Sequence, residues 1–125
     1  MQDPPVTVWS VRYLLGALLE TQFDDVRPEE WGPSHAGSAS RVDFFLKQEG
    51  VLVETKMTRD GLTDRKLGDE LIVDIDRYKK MPDCKALVCF VYDRDHRLTN
   101  PNVLENDLSK TTDGLEVRVL IRPKP

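Results

Sequence analysis

Asp43, Glu54 and Lys56 are the residues whose types and spacing could do chemistry. They fall on two candidate strands, Arg41–Leu46 and Val51–Lys56, joined by Lys47-Gln48-Glu49-Gly50 in a hairpin pattern. A two-residue loop at Gln48-Glu49 would set Lys47 against Gly50, and in that register Asp43 stands directly opposite Glu54. Their Cβ atoms would then be about 5 Å apart on one face of the sheet. Two carboxylates so placed repel each other, and the repulsion has three remedies: a raised pKa, an adjacent lysine, or a divalent cation. Hard oxygen donors at this spacing suit Mg²⁺, which takes one or two carboxylates and completes its shell with water and substrate phosphate. Lys56, two residues beyond Glu54, returns to the same side of its strand, opposite Arg41. A lysine there can orient a water or steady negative charge on a reacting phosphate. Toward the turn, the same face carries Phe45 and Leu52 and becomes apolar.

The competing reading is a structural ion cluster at a strand end. Burying two acids beside one lysine without a ligand costs several kcal/mol, so the spacing favours the functional reading. Ser40 and Arg41 belong to the charged end and are candidate phosphate contacts, although Ser40 serves equally well as a loop cap. His35 is expected on the surface rather than as a base. Arg59, Lys66, Lys79 and Lys80 form either a basic rim or an ordinary solvated face.

The elements that must position these residues are legible from periodicity. Val6 to Gln22 reads as a helix, with Leu14, Leu15, Leu18 and Leu19 at helical spacing. So few charges interrupt it that it is expected to be buried on more than one side. Asp25–Arg27 is a short strand candidate closed by Pro28, and Trp31 to Ser40 is a loop rich in Gly, Ser and Pro. Both hairpin strands carry apolar residues on both faces, so helices are expected to cover both sides of the sheet. Asp64 to Lys80 is the second long helix, capped by Thr63 or Asp64, with Leu67, Leu71, Ile75 and Tyr78 on its inner face. Ala86 to Tyr92 is a buried central strand. Asn100-Pro101 opens a short helix through Leu108, and Leu115, Val117, Val119 and Ile121 alternate as an edge strand ended by Pro123. The order is αβββαβαβ, an α/β (α+β) mixed sheet flanked by helices.

At 125 residues the chain is expected to be a single domain, 1–125, either whole or one module of a larger protein. No apolar run approaches the roughly 18 residues of a membrane span. Met1-Gln2-Asp3-Pro4-Pro5 lacks the basic region of a signal peptide, which makes a cytoplasmic location the expectation. Cys84 and Cys89 lie on one apolar segment, beyond disulfide reach if extended, and read as buried free thiols. With no CxxC pair, and with His35 and His96 far apart, a zinc site is not indicated. The net charge of −4 and pI near 5.2 oppose tight nucleic-acid binding by a general basic field. Recognition is then expected from other domains or subunits, or from a small local basic patch. Oligomeric state is left open, with a homo-oligomer among the alternatives.

The spacing of Asp43 and Glu54-Thr55-Lys56 resembles the PD-(D/E)XK nuclease superfamily. Ser40-Arg41-Val42-Asp43-Phe44 through Glu54-Thr55-Lys56 is similar to the DpnII/MboI-type restriction endonuclease domain. So are the runs Glu70 to Tyr78, Pro82-Asp83-Cys84-Lys85, Cys89 to Asp93, and Leu104-Glu105-Asn106-Asp107-Leu108. The resemblance implies a restriction-endonuclease-like fold and Mg²⁺- or Mn²⁺-dependent endonuclease cleavage of nucleic acid, DNA before RNA. It implies Asp43 and Glu54 as metal ligands, with the Thr55 carbonyl as a third, and Lys56 as the catalytic lysine. Superfamily members often add an acid from the first helix, for which Glu20 is the candidate. Glu70, Asp74 and Tyr78, four residues apart on the second helix, are the candidates for supporting roles. One departure is Val42, where the motif has proline. The resemblance also implies the cutting module of a bacterial restriction or antiviral defence system. The runner-up is an inactive nuclease-fold domain serving as a binding or assembly module.

Overall fold

The computed structural model describes residues 7–29 and 42–125. The chain runs α1 (Val8–Gln22), β1 (Val26–Glu29), β2 (Val42–Leu46), β3 (Val51–Met57), α2 (Asp64–Tyr78), β4 (Ala86–Tyr92), α3 (Pro101–Leu108), β5 (Thr111–Thr112) and β6 (Leu115–Arg122). The strands form one sheet in the order β1-β2-β3-β4-β6-β5. β1, β2 and β3 are antiparallel neighbours, β3, β4 and β6 run parallel, and β5 returns antiparallel to β6. The α/β order expected from the sequence is present, with β5 added.

The β2–β3 register sets Asp43 opposite Glu54 and Phe45 opposite Leu52, as the hairpin reading required. The connection differs. The last pair is Leu46 with Val51, so the loop has the four residues Lys47 to Gly50 rather than two. Lys47 N–H turns away to the Asp25 carbonyl at 3.2 Å, and Gly50 N–H closes on the Leu46 carbonyl at 2.8 Å. Gly50 has φ +72, and a Cβ there would stand 3.1 Å from the Asp83 carbonyl oxygen, so the turn requires glycine. Its own carbonyl accepts from Lys85 N–H at 2.7 Å, which starts β4 beside β3.

Pro28 lies within β1 rather than ending it. It pairs with Phe44, and β1 is an edge strand, where a missing N–H leaves no ladder bond unmade. β6, expected at an edge, is covered along Leu115 and Glu116 by β5.

α2 and α3 cover one face of the sheet. Leu67, Leu71, Ile75 and Tyr78 of α2 meet Phe45, Leu52, Leu87, Cys89, Val91, Val117, Val119 and Ile121 in the main core. Thr63 caps α2 by accepting from Lys66 N–H at 3.2 Å. Asp64 holds the start of α3, accepting from Thr99 and Asn100 N–H at 2.8 and 2.7 Å. Glu105 ties α3 to β6 through Ile121 N–H at 2.7 Å.

α1 covers the other face, and only in part. Leu15, Leu19 and Phe23 pack on Phe44, Leu46 and Val53, and Gly16 lets the helix approach until a Cβ there would be 3.0 Å from the Phe44 ring. The expectation of a helix buried on more than one side is overturned, since Leu14 is 65% and Tyr13 73% exposed. No described helix lies beyond α1 on this face to cover its flank, so apolar residues that would be inner in a thicker protein meet solvent. Among the described residues no helix is long and apolar enough to cross a membrane. Both cysteines are free and buried.

Candidate active site

The candidate residues gather where the α2-covered face turns from apolar to charged. One row across the sheet carries Asp43, Glu54 and Cys89, and Lys56 stands in the next. Asp43, Glu54 and Asp74 are all buried, with Lys56 nearly so. α2 brings its polar stripe onto this end. Glu70, Asp74 and Tyr78 recur every fourth residue, and the stripe lies over the strands rather than in water.

Contacts are specific. Tyr78 donates its hydroxyl to Asp43 Oδ2 at 2.7 Å. Lys56 Nζ lies 3.2 Å from Asp74 Oδ2, 3.6 Å from Glu70 Oε1 and 3.7 Å from Glu54 Oε1. Glu70 Oε2 accepts from Arg59 Nη2 at 3.0 Å. Cys89 Sγ donates to Glu54 Oε2 at 3.6 Å. Arg77 approaches Asp74 at 3.8 Å from one turn along α2. Glu70 and Asp74 are therefore not simply a solvated face of the helix. They reach across to β3.

Burial dominates the electrostatics. Desolvation first, and then a hydrogen bond with Asp74 and its charge, push the Glu54 carboxyl well above the usual range, with Lys56 opposing and Asp43 adding. A hydrogen bond between two carboxyls needs a proton on one of them, and the raised Glu54 is its natural holder. Burial works against the Lys56 ammonium, but Glu54, Asp74 and Glu70 together outweigh it and hold its pKa above the ordinary lysine value. The Cys89 thiol is pushed far up, by burial and then by the charges of Glu54 and Asp74. It is a neutral donor to Glu54 and not a nucleophile.

The donor set fits a hard divalent cation. Three buried carboxyls with one lysine carry surplus negative charge, which adds to burial in raising the Glu54 pKa and which a divalent cation would neutralise. Among the described residues no three His, Cys, Asp or Glu side chains converge as a ready cage. Mg²⁺ does not need one, because water and phosphate normally fill most of its octahedron.

The other candidates are placed differently. Glu20 is not brought to the carboxylates. It is exposed on α1, beside a shallow pocket with Arg12, Tyr13 and Phe44 on the opposite face of the sheet. α1 also ends near the turn, since β1 begins with Val26 against Leu46, whereas Asp43 pairs with Glu29. An acid late in this helix therefore lies across the sheet and at the wrong end. The Thr55 side chain is fully buried. Ser40, Arg41 and His35 lie outside the described residues. Of the basic rim, Lys79 and Lys80 pair with Asp76, and Lys66 reaches the Gly61 carbonyl at 3.3 Å. Arg59 alone of that group touches the cluster. Its link to Glu70 spans a loop and a helix start, and no local spacing signals it.

The family model DpnII-MboI, described as REase_DpnII-MboI, matches residues 9–124. This chain belongs to the DpnII-MboI restriction endonuclease family. The match spans the whole sheet and the α2 helix that covers the site, so the mixed sheet is the family's restriction-endonuclease-like fold and the domain is a nuclease by kinship. No curated protein and no solved structure matches the chain.

Proposed function

We propose that this domain cuts DNA by divalent-metal-dependent hydrolysis of phosphodiester bonds, as the cutting module of a bacterial restriction or antiviral defence system. The observation that carries the reading is the buried group of Asp43, Glu54 and Asp74 around Lys56 at one end of a covered face. Asp43 and Glu54 would hold Mg²⁺ or Mn²⁺, with the Thr55 carbonyl as a further ligand. Bound there, the cation supplies Lewis acidity toward a phosphate oxygen and makes water more acidic.

The chain's own residues do the rest. Lys56 offers ammonium protons to orient a water or to meet charge building on the phosphate, and the acids around it keep it protonated. Tyr78 fixes the orientation of Asp43 through its 2.7 Å bond. Asp74 positions Lys56, and Cys89 presses its thiol against Glu54. Water is kept from the inner side by Leu52, Leu71 and Leu87, so these charges act in a low-dielectric surrounding. Ser40 and Arg41, three and two residues before Asp43 in the chain, stay as proposed phosphate contacts.

With a net charge of −4, affinity and sequence recognition are assigned to other domains, subunits or a second copy. A cytoplasmic site of action accords with a DNA substrate and with two unpaired thiols. The inactive-module alternative lacks support, because Asp43, Glu54 and Lys56 are all retained. Plasmid nicking with and without Mg²⁺ tests the proposal. Nicking should require the cation and vanish in Glu54→Ala and Lys56→Ala. Cation-independent nicking, or wild-type nicking by both variants, would refute it.

A further inference from the structure

Glu70 has one cation on each carboxylate oxygen. Oε1 is 3.6 Å from Lys56 Nζ and Oε2 is 3.0 Å from Arg59 Nη2. The two cations differ in access, since the Arg59 side chain is 53% exposed and that of Lys56 only 10%. Together they form a short ladder from solvent into the carboxylate cluster.

The backbone beneath Arg59 is anchored. Thr58 N–H donates to the Tyr92 carbonyl at 3.0 Å, and its hydroxyl donates to buried Asp93 at 2.8 Å. Arg59 in turn accepts at its carbonyl from Leu62 N–H at 3.1 Å. The exposed guanidinium is thus presented from a fixed point three residues after Lys56. Such a pair is suited to an oxyanion with two terminal oxygens on one atom, a description that covers both a carboxylate and a phosphodiester.

We propose that Lys56 and Arg59 form a seat for a backbone phosphate of the nucleic acid, and that the Glu70 carboxylate holds this seat until substrate displaces it. The inference rests on the nuclease reading above and adds Arg59 as a substrate contact and Glu70 as its placeholder. Glu70 keeps both cations in position, adding a third carboxylate to the Asp74 and Glu54 that also pair with Lys56. The same contact opposes binding, because a phosphate must replace it.

The test measures binding of a fluorescein-labelled DNA duplex across a salt series, with Ca²⁺ in place of Mg²⁺ to hold the strand uncut. Arg59→Ala should weaken binding about fivefold, the size of a partly solvated ion contact. It should lower the slope of log K against log salt by about one. Arg59→Lys should keep the wild-type slope. Glu70→Gln should bind more tightly, by about threefold on the same scale, because no anion has to leave. Arg59→Ala should keep the wild-type melting shift on adding Mn²⁺, since Arg59 does not touch Asp43 or Glu54. Wild-type slope and affinity in Arg59→Ala, or weaker binding by Glu70→Gln, would overturn the proposal. So would loss of the Mn²⁺ shift in Arg59→Ala, which would make Arg59 a support of the cation site. A wild-type protein that neither nicks plasmid nor binds the duplex would instead overturn the nuclease reading on which the seat rests.

Discussion

The two faces of the sheet are built from the same alternating strands and have opposite characters. On the α2 face, side chains from β2, β3, β4 and β6 are sealed by two helices, and the apolar core runs directly into a buried charged cluster. On the α1 face Phe44, Leu46, Val53 and Thr55 are the well-buried strand residues among those described, while Leu14, Leu18 and Leu120 meet solvent. Alternation decides which residues share a face, and the covering helices decide what that face becomes. The proposed chemistry sits where cover is complete. There the Glu54 carboxyl is stripped of water and its pKa rises, and a bound cation or phosphate would feel the full charge.

The sharpest way to break this contrast is to remove one charge from the sealed face. Glu54→Gln or Lys56→Ala should lower the Mg²⁺-dependent nicking rate by at least about 10²–10³-fold, the usual effect of losing one preorganised electrostatic group. Far-ultraviolet circular dichroism should stay unchanged, because neither substitution opens an apolar cavity. Retained nicking would mean that the cluster is structural.

The next effect is on stability. Leu71→Ala on α2 should cost about 2–5 kcal/mol in urea unfolding, whereas Leu14→Ala on α1 should stay within about 0.5 kcal/mol. Similar costs would show that the α1 face is covered in solution, for instance by a second copy.

Smaller again is the response to metal. Mn²⁺ binds the folded site and not the unfolded chain, so it should raise the melting temperature of the wild type. Asp43→Asn removes one charge at nearly constant shape and keeps an acceptor for Tyr78. In chelator it should melt at or above wild type, and it should gain little from Mn²⁺. Equal Mn²⁺ shifts in the two proteins would sink the assignment of Asp43 as a ligand.

The mildest test is pH. The Glu54 pKa is raised in the folded state, by burial first and then by Asp74, so the folded protein holds this proton more tightly than the unfolded chain. That contribution to stability is complete below the ordinary carboxyl value of 4.5 and is lost as pH rises through the folded value. In chelator the melting temperature of the wild type should therefore fall more steeply above pH 4.5 than that of Glu54→Gln. Matching slopes would mean that Glu54 is not the proton holder.

The sequence alone determined the pairing of Asp43 with Glu54, the return of Lys56 to their side, and the helical spacing of Glu70, Asp74 and Tyr78. Each follows from a local period of two or 3.6 and a short connection. The family could likewise be recognised from motif runs, and its model then matched residues 9–124. Tertiary structure decided what those stripes face. Only the packing of α2 on β3 turned Asp74 from a helix-surface acid into the partner of Lys56 and brought Tyr78 onto Asp43. It placed Glu20 across the sheet, because the side on which α1 packs is not written in its own amphipathicity, with leucines spread around the helix. It made Pro28 part of a strand, since edge position belongs to the sheet as a whole. The contact of Arg59 with Glu70 was invisible for the same reason. Glu70 lies 11 residues away on another element, and no local rule relates a loop side chain to the helix that passes above it.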